Sequence, residues 1–391
     1  RRTCRHTVPS VFLKRVRFYG TLNLEQGTWH KGRPAGNLMG NISRQYRGLI
    51  RQKALFGLAL FGFTAAAAVW SLKIGSFSLS FQEIFRAVLA GDDPVAGHVV
   101  CNIRLPRILA AILAGACLAT AGTAMQNVLR NPLGSPFTLG VSQGAAFGAA
   151  FAIIALGSGS TIADTGGSTL SGSPYAVAAC AFAGSLFTVT ALVILSRIRR
   201  LSPEALILAG VALSSFFGAA TMLLQYFASD TEVAAAVFWT FGDLGKARWK
   251  ELVLMFLTLV PAFAWFAAKR WAFNAMLWGD DTAGSLGIDT GRLRLVSLVL
   301  AALAASVTTA FLGVIGFAGL IAPHMVRMIT GEDHRFLLPY SALAGSLLLL
   351  VADGLARTVI APAVLPVGIV TSFAGAPLFL YLLVTLRKTG K

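Results

Sequence analysis

Acidic residues are scarce in this 391-residue chain, 16 Asp and Glu against 33 Lys and Arg, and charged residues of both signs make up only 13% of it. Soluble domains carry roughly 25% charged residues, and a water-soluble fold could not hide a chain that is 56% hydrophobic. Cysteine is almost missing. Cys4, Cys101, Cys117 and Cys180 are scattered with no CxxC pair and no metal-ligand spacing; Cys117 and Cys180, inside apolar runs, read as small packing residues. No GxxxxGK[ST] stretch occurs, so there is no Walker A loop to cradle the phosphates of ATP. The first 38 residues are basic and polar and lack the apolar core of a secretion signal.

What is present is a series of long runs without a single Asp, Glu, Lys or Arg: 54–72, 108–129, 137–163, 165–196, 205–229, 252–268, 295–326, 336–352 and 358–386. A hydrocarbon core about 30 Å thick needs around 20 apolar residues per helix. The run 295–326 is too long for one span and contains Gly313, Gly316, Gly319 and Pro323, so it divides near Gly313. The runs are too long and too evenly apolar for barrel strands, and main-chain groups in lipid must be paired internally. The expectation is an all-α integral membrane protein of about ten transmembrane helices, near 53–72, 107–128, 137–157, 174–196, 204–227, 250–269, 292–311, 316–331, 337–353 and 366–386. A basic tail, residues 1–48, disordered or an upstream extension in front of Met39, precedes a transmembrane domain over 49–391.

The formal net charge of +17 suggests nucleic acid at first sight, but a charge excess takes its meaning from where it lies. With an even number of spans and a cytoplasmic N-terminus, most Lys and Arg fall in the tail and the inner connections, as the positive-inside rule requires. Both termini are then cytoplasmic, the basic segments meet membrane lipid, and no nucleic acid is needed.

The outer connections hold two short helices. One opens with Ser80 and Glu83 at capping-box spacing; the other begins at Asp230 and carries Val233, Ala236, Val237 and Phe238. Trp239 and Trp249 suit an interfacial anchor. Small residues such as Ala114-Gly115-Ala116 and Ala121-Gly122 allow close helix approach.

Three motifs carry a resemblance. Asn131-Pro132-Leu133-Gly134-Ser135-Pro136 is followed by Leu139-Gly140-Val141-Ser142-Gln143-Gly144-Ala145. Gly316-Phe317-Ala318-Gly319-Leu320-Ile321-Ala322-Pro323-His324 leads to Arg327 and Asp333-His334-Arg335. Asp353-Gly354-Leu355-Ala356-Arg357 precedes Leu365-Pro366-Val367-Gly368 and Gly375-Ala376-Pro377. These stretches, from about Ile103 to Leu386, resemble the FecCD-type permeases of ABC importers for siderophores, haem and cobalamin. The resemblance implies a type II ABC importer permease fold and a homodimer. It also implies two ATP-binding cassette subunits that hold the ATP and Mg, a periplasmic or lipid-anchored substrate-binding protein, and a place in the bacterial inner membrane. No cofactor, metal or catalytic group is expected on this chain. The implied cargo is an iron chelate, a ferric siderophore or haem, with cobalamin as the alternative.

The same resemblance assigns residues. Arg104, Arg107 and Arg357, at the outer mouth, are expected to dock carboxylates of the binding protein, a use suited to the arginine fork; an isolated boundary arginine would otherwise snorkel to headgroups. The inner segment Asp280, Asp281, Thr282, Ala283, Gly284, Ser285, Leu286, Gly287 and Ile288 resembles the family's coupling helix. Asp280 or Asp281 can cap a short helix, Ala283, Leu286 and Ile288 can serve as apolar knobs, and the two glycines permit a bend. A Mg²⁺ site at Asp280-Asp281 lacks a second acidic motif. Asn131 and Leu133 are candidates for a cytoplasmic gate.

His324 reads as a helix-start hydrogen-bonding residue and His334 as part of a solvated turn. Two other function classes would require different residues. An ion-coupled secondary transporter should carry ionisable residues within its spans, which these runs lack, and a membrane-embedded enzyme should cluster acidic or histidine groups at one face.

Overall fold

The computed structural model describes residues 35–75, 83, 94–158, 174–199 and 202–389, and among them every regular element is helical. The outer helix expected from Ser80 and the tail before Ala35 fall outside the described residues, Glu83 apart. The helices are α1 (Ala35–Lys73), α2 (Pro94–His98), α3 (Leu105–Val128), α4 (Val141–Ala150), α5 (Pro174–Arg199), α6 (Pro203–Tyr226) and α7 (Asp230–Thr240). They continue as α8 (Trp249–Ala268), α9 (Arg270–Met276), α10 (Asp280–Ser285), α11 (Thr290–Leu312), α12 (Ala318–Thr330), α13 (His334–Thr358) and α14 (Val367–Thr389). π-helical turns at Val99–Arg104 and Phe151–Ala155 lead into α3 and extend α4. By contacts the chain divides into Arg1–Ala54 and Leu55–Lys391, so the domain boundary expected after residue 48 and the break after Ala54 both lie within α1.

Among the described residues seven segments are long and apolar enough to cross a membrane: Arg44–Lys73, Val95–Val128, Pro174–Ser196, Pro203–Tyr226, Trp249–Ala268, Thr290–Leu312 and His334–Thr358. Val141–Ala155 and Val367–Tyr381 are shorter apolar helices, and α12 completes the ten positions read from the sequence. The eighth, expected over 316–331, is only 13 residues long, about 20 Å at 1.5 Å per residue. That is shorter than a hydrocarbon core about 30 Å thick.

Local chemistry sets most of the ends. Ser202 accepts a hydrogen bond from the Ala205 N–H at 3.3 Å and Pro203 opens α6. Ser229 and Glu232 form the capping box of α7, where the sequence placed its second short outer helix. Asp289 accepts from the Arg292 N–H at 2.9 Å to start α11. The division near Gly313 holds: Gly313 (φ +82°) and Phe317 (φ +63°) both take the left-handed region and turn the chain out of α11 and into α12. The irregular stretch between them is closed by main chain. Leu312 O accepts the Asp243 N–H at 2.8 Å, the Gly368 N–H donates to Gly242 O at 3.0 Å, and Val314 O faces Gly242 and Gly368 too closely for a Cβ on either.

α3 lies at the centre, packed by α13, α11, α12 and α8, and nearly all its residues are buried. Its small residues make that possible. A Cβ on Gly115 would collide with the carbonyl of Gly345 on α13, and one on Gly122 with the carbonyl of Gly319 on α12, the close approach that holds helices together where no water drives them. The periphery is apolar instead, with Leu58, Phe63, Leu208, Met222 and Phe256 exposed. An outward oily face and an inward face of Ala, Gly, Ser and Thr suit a lipid surround rather than water.

Candidate functional site

Two polar clusters mark opposite ends of α3, whose 24 residues extend about 36 Å. At its N-terminal end the structure brings Arg104, Arg107 and Arg357 together, as the sequence expected of docking residues, but all three are largely buried and engaged within the chain. The reason is helix-end chemistry. The last carbonyls of α1 have no partner within the helix. Arg104 donates to Leu72 O at 2.5 Å, while Arg357 donates to Ser71 O at 3.2 Å, to Ile74 O at 2.7 Å and to the Ser71 hydroxyl. Two cations thus satisfy the negative end of α1.

Asp353 supplies the counter-charge. Its side chain is 1% exposed, and Arg107 Nε donates to Oδ1 at 2.8 Å. Arg357 Nε lies 2.9 Å from Oδ2, an ion contact without the angle of a hydrogen bond. Asp243 stands 3.5 Å from Arg107 Nη2. No local sequence pattern marks Asp353 or Asp243 as a partner of Arg107, because both lie far from it along the chain.

At the other end α9, α10 and the start of α11 meet the turn after α3. Gly279 (φ +109°) and Gly287 (φ +80°) bracket α10. Asp280 does not cap it, contrary to the reading above: the residue ahead of the helix is Gly279, and the Asp280 carboxylate instead accepts from Arg294 Nη2, at 3.1 Å to Oδ1 and 2.9 Å to Oδ2. Arg130 Nη2 is 3.7 Å from the same carboxylate. The apolar knobs also need correcting. Ala283 is fully buried and Ile288 packs on the chain's own core, because the short helix lays that side against α11 and α9. Leu286 alone of the three faces outward, 68% exposed, with Trp278 beside it in sequence at 61%. Asp281, Thr282, Gly284, Ser285 and Gly287 are exposed; Thr282 donates to Trp278 O at 3.2 Å and Ser285 to Thr282 O at 2.8 Å.

Asn131 and Leu133 sit half-buried in the turn that joins α3 to α4. Asn131 Oδ1 accepts the Leu133 N–H at 2.8 Å, the Gly134 N–H donates to Asn131 O at 3.0 Å, and Thr138 Oγ1 donates to Leu133 O at 3.1 Å. The Asn131 side chain is therefore a brace of the turn. Arg130, in the left-handed region at φ +47°, ends α3, and Arg294 Nε donates to Val128 O at 2.9 Å, one of the carbonyls α3 cannot satisfy itself. Glu204 is within electrostatic reach of both Arg130 and Arg294. Sequence reasoning passed over Arg130 and Arg294 because their partners are distant along the chain. An ion pair with a carboxylate one-third exposed contributes at most about 1 kcal/mol, so the arrangement matters for geometry more than for stability.

The two histidines depart from expectation. His324 lies inside α12, six residues after its first residue, buried and with Nε2 unbonded. His334 is 3% exposed rather than solvated: its N–H donates to Asn274 Oδ1 at 2.9 Å and its ring stacks on Phe273 at 5.4 Å. Beside it Asp333 accepts from Asn274 at 3.0 Å and from Arg335 at 2.7 Å. Burial of Asp333 acts to raise its pKa, but the bonds from Arg335 and Asn274 and the charge of Arg335 outweigh it and hold the carboxyl below the usual range. Among the described residues no three His, Cys, Asp or Glu converge as metal ligands.

Residues 63–385 match the model of the FecCD transport family. The chain is 49% identical to an ABC transporter permease of Methanocaldococcus jannaschii over 89% of its own length and 99% of the relative's. It is 36% identical to the hemin transport permease of Yersinia pestis, with 87% and 98% covered, and 38% identical to the vitamin B12 import permease of Citrobacter koseri, with 80% and 94% covered. Among solved structures it resembles an inward-facing metal-chelate type ABC transporter, with a TM-score of 0.73 and 33% identity over 85% of this chain and 99% of the other.

Proposed function

The chain belongs to the FecCD transport family, as an all-helical transmembrane permease, and we propose from that premise that it carries an iron chelate across the inner membrane, powered by a separate ATPase. One observation carries the cargo class. Relatives that align over four-fifths or more of this chain are named for hemin, ferric citrate and vitamin B12, all of them metal chelates; cobalamin is the alternative within that class.

In this reading two copies surround a central path and two ATP-binding cassette subunits hold ATP and Mg beneath them. The α10 segment with exposed Leu286 meets an ATPase subunit at the cytoplasmic face, and Asn131 and Leu133 border the inner gate. The arginine cluster lies at the outer end, where a periplasmic or lipid-anchored binding protein docks. Its carboxylates would exchange with bonds that Arg104, Arg107 and Arg357 now make inside the chain. Both termini are cytoplasmic.

Reconstitution tests the proposal. The chain, an ATPase partner and a binding protein are placed in liposomes, and uptake of ferric citrate, haemin and cyanocobalamin is followed separately. Uptake of one of them that needs both partners and MgATP is expected; uptake by the purified chain alone would overturn the reading.

A further inference from the structure

We infer that Arg294 is the positioning residue that passes movement of α10 to the turn after α3, linking the ATPase contact to the gate. The inference rests on α10 being that contact. Arg294 is only 13% exposed at its side chain, and its bonds run inward to two different elements. Nη2 holds both oxygens of Asp280 on α10, and Nε holds Val128 O at the end of α3. An arginine can do both because its donors are fixed in one plane; a lysine ammonium offers a point charge on a flexible stem.

What receives the movement is stiff. The turn from Asn131 to Gly134 is closed by its own hydrogen bonds and braced by Thr138, so a displacement at Val128 shifts Leu133 with the turn instead of being absorbed. Arg130, beside that turn, makes the second tie to Asp280. On the other side buried Ala283 seats α10 against its neighbours. The driving surface and the gate are thereby joined by side-chain atoms although residues 128 and 294 are far apart in sequence.

The test uses the whole chain assembled with its ATPase in lipid nanodiscs, with its four cysteines replaced and a nitroxide attached at Leu133→Cys. The distance between labels in the two copies is read with and without MgATP and vanadate, and trapped nucleotide is measured in parallel. The unsubstituted link should give a nucleotide-driven change in distance. Arg294→Gln should cut that change by at least half while trapping persists, Arg294→Lys should give an intermediate value, and Asp280→Asn, which leaves the Val128 bond in place, should also reduce it. A full change in Arg294→Gln overturns the inference, as does a label that stays still in the unsubstituted chain although nucleotide is trapped. If Arg294→Gln does not assemble, a full change in Asp280→Asn overturns it equally. Failure of any ATPase to bind would instead remove the functional reading on which the link depends, and the link with it.

Discussion

Asp353 and Arg357 stand one helical turn apart on α13, and the carboxylate that meets Arg357 at 2.9 Å also accepts from Arg107 of α3 at 2.8 Å. A single buried acid thus balances two cations, one of which also closes the end of α1. Removing one member of a buried ionic group leaves the others uncompensated, which costs about 3–5 kcal/mol. Asp353→Asn should therefore lower stability by about 3 kcal/mol or more in detergent, measured by denaturant unfolding. A wild-type transition in that variant would mean that the two arginines find other compensation.

Two glycines provide a paired comparison. Gly115 meets the main chain of Gly345 with no room for a Cβ, whereas Gly62 has nothing within 4 Å of where one would be. Gly115→Val should cost about 2 kcal/mol or more, since overpacking against backbone has no side chain to yield. Gly62→Ala should be neutral or stabilise by up to about 1 kcal/mol, through helix propensity. Equal stabilities for the two variants in the same unfolding assay would contradict the contact between α3 and α13.

The proposed ATPase surface divides into an exposed part and a seated part. Leu286→Asp should leave stability within about 0.5 kcal/mol yet weaken co-purification of the ATPase at least tenfold. Ala283→Asp should instead disturb the corner of α9, α10 and α11, because it places a charge where no solvent reaches. Co-purification that withstands Leu286→Asp would exclude that residue from the contact.

Asp333 gives a pH dependence of definite sign. Its folded pKa is below its unfolded value of about 3.9, so its stabilising contribution is complete above that value and is lost as pH falls through the folded pKa. Amide exchange in 270–276 and at the start of α13 should quicken below about pH 4, relative to the rest of the chain, and Asp333→Asn should remove that acid step. An identical acid profile in the variant would assign the step to another group.

The helices were legible because charge is excluded from hydrocarbon, so an uncharged run shows its own length, and the break at Gly313 was legible because glycine and proline interrupt such a run. The short reach of α12 was legible as well: Gly316 precedes it, Gly331 (φ +78°) ends it, and Glu332, Asp333 and Arg335 follow, so the expected 316–331 lies within two residues of Ala318–Thr330. The clusters were legible only as places. That three arginines gather at one end followed from the family motifs, but their bonds to Ser71, Leu72 and Ile74 join segments more than 30 residues apart, and no local pattern reports such a partner. Ala283 and Leu286 looked alike as apolar residues, but Ala283 is buried within the six-residue helix and Leu286, just past its end, is exposed. The same holds for Arg130 and Arg294, ordinary inner-loop cations by sequence, whose roles come from a shared carboxylate.

The main-chain seam between Leu312, Asp243, Gly242 and Gly368 also limits how the molecule can move. A buried peptide group left unpaired costs about 1–3 kcal/mol, so the three segments are held to one another there. The Asp243 and Gly368 amides should accordingly remain among the slowest to exchange in both the resting and the nucleotide-trapped transporter.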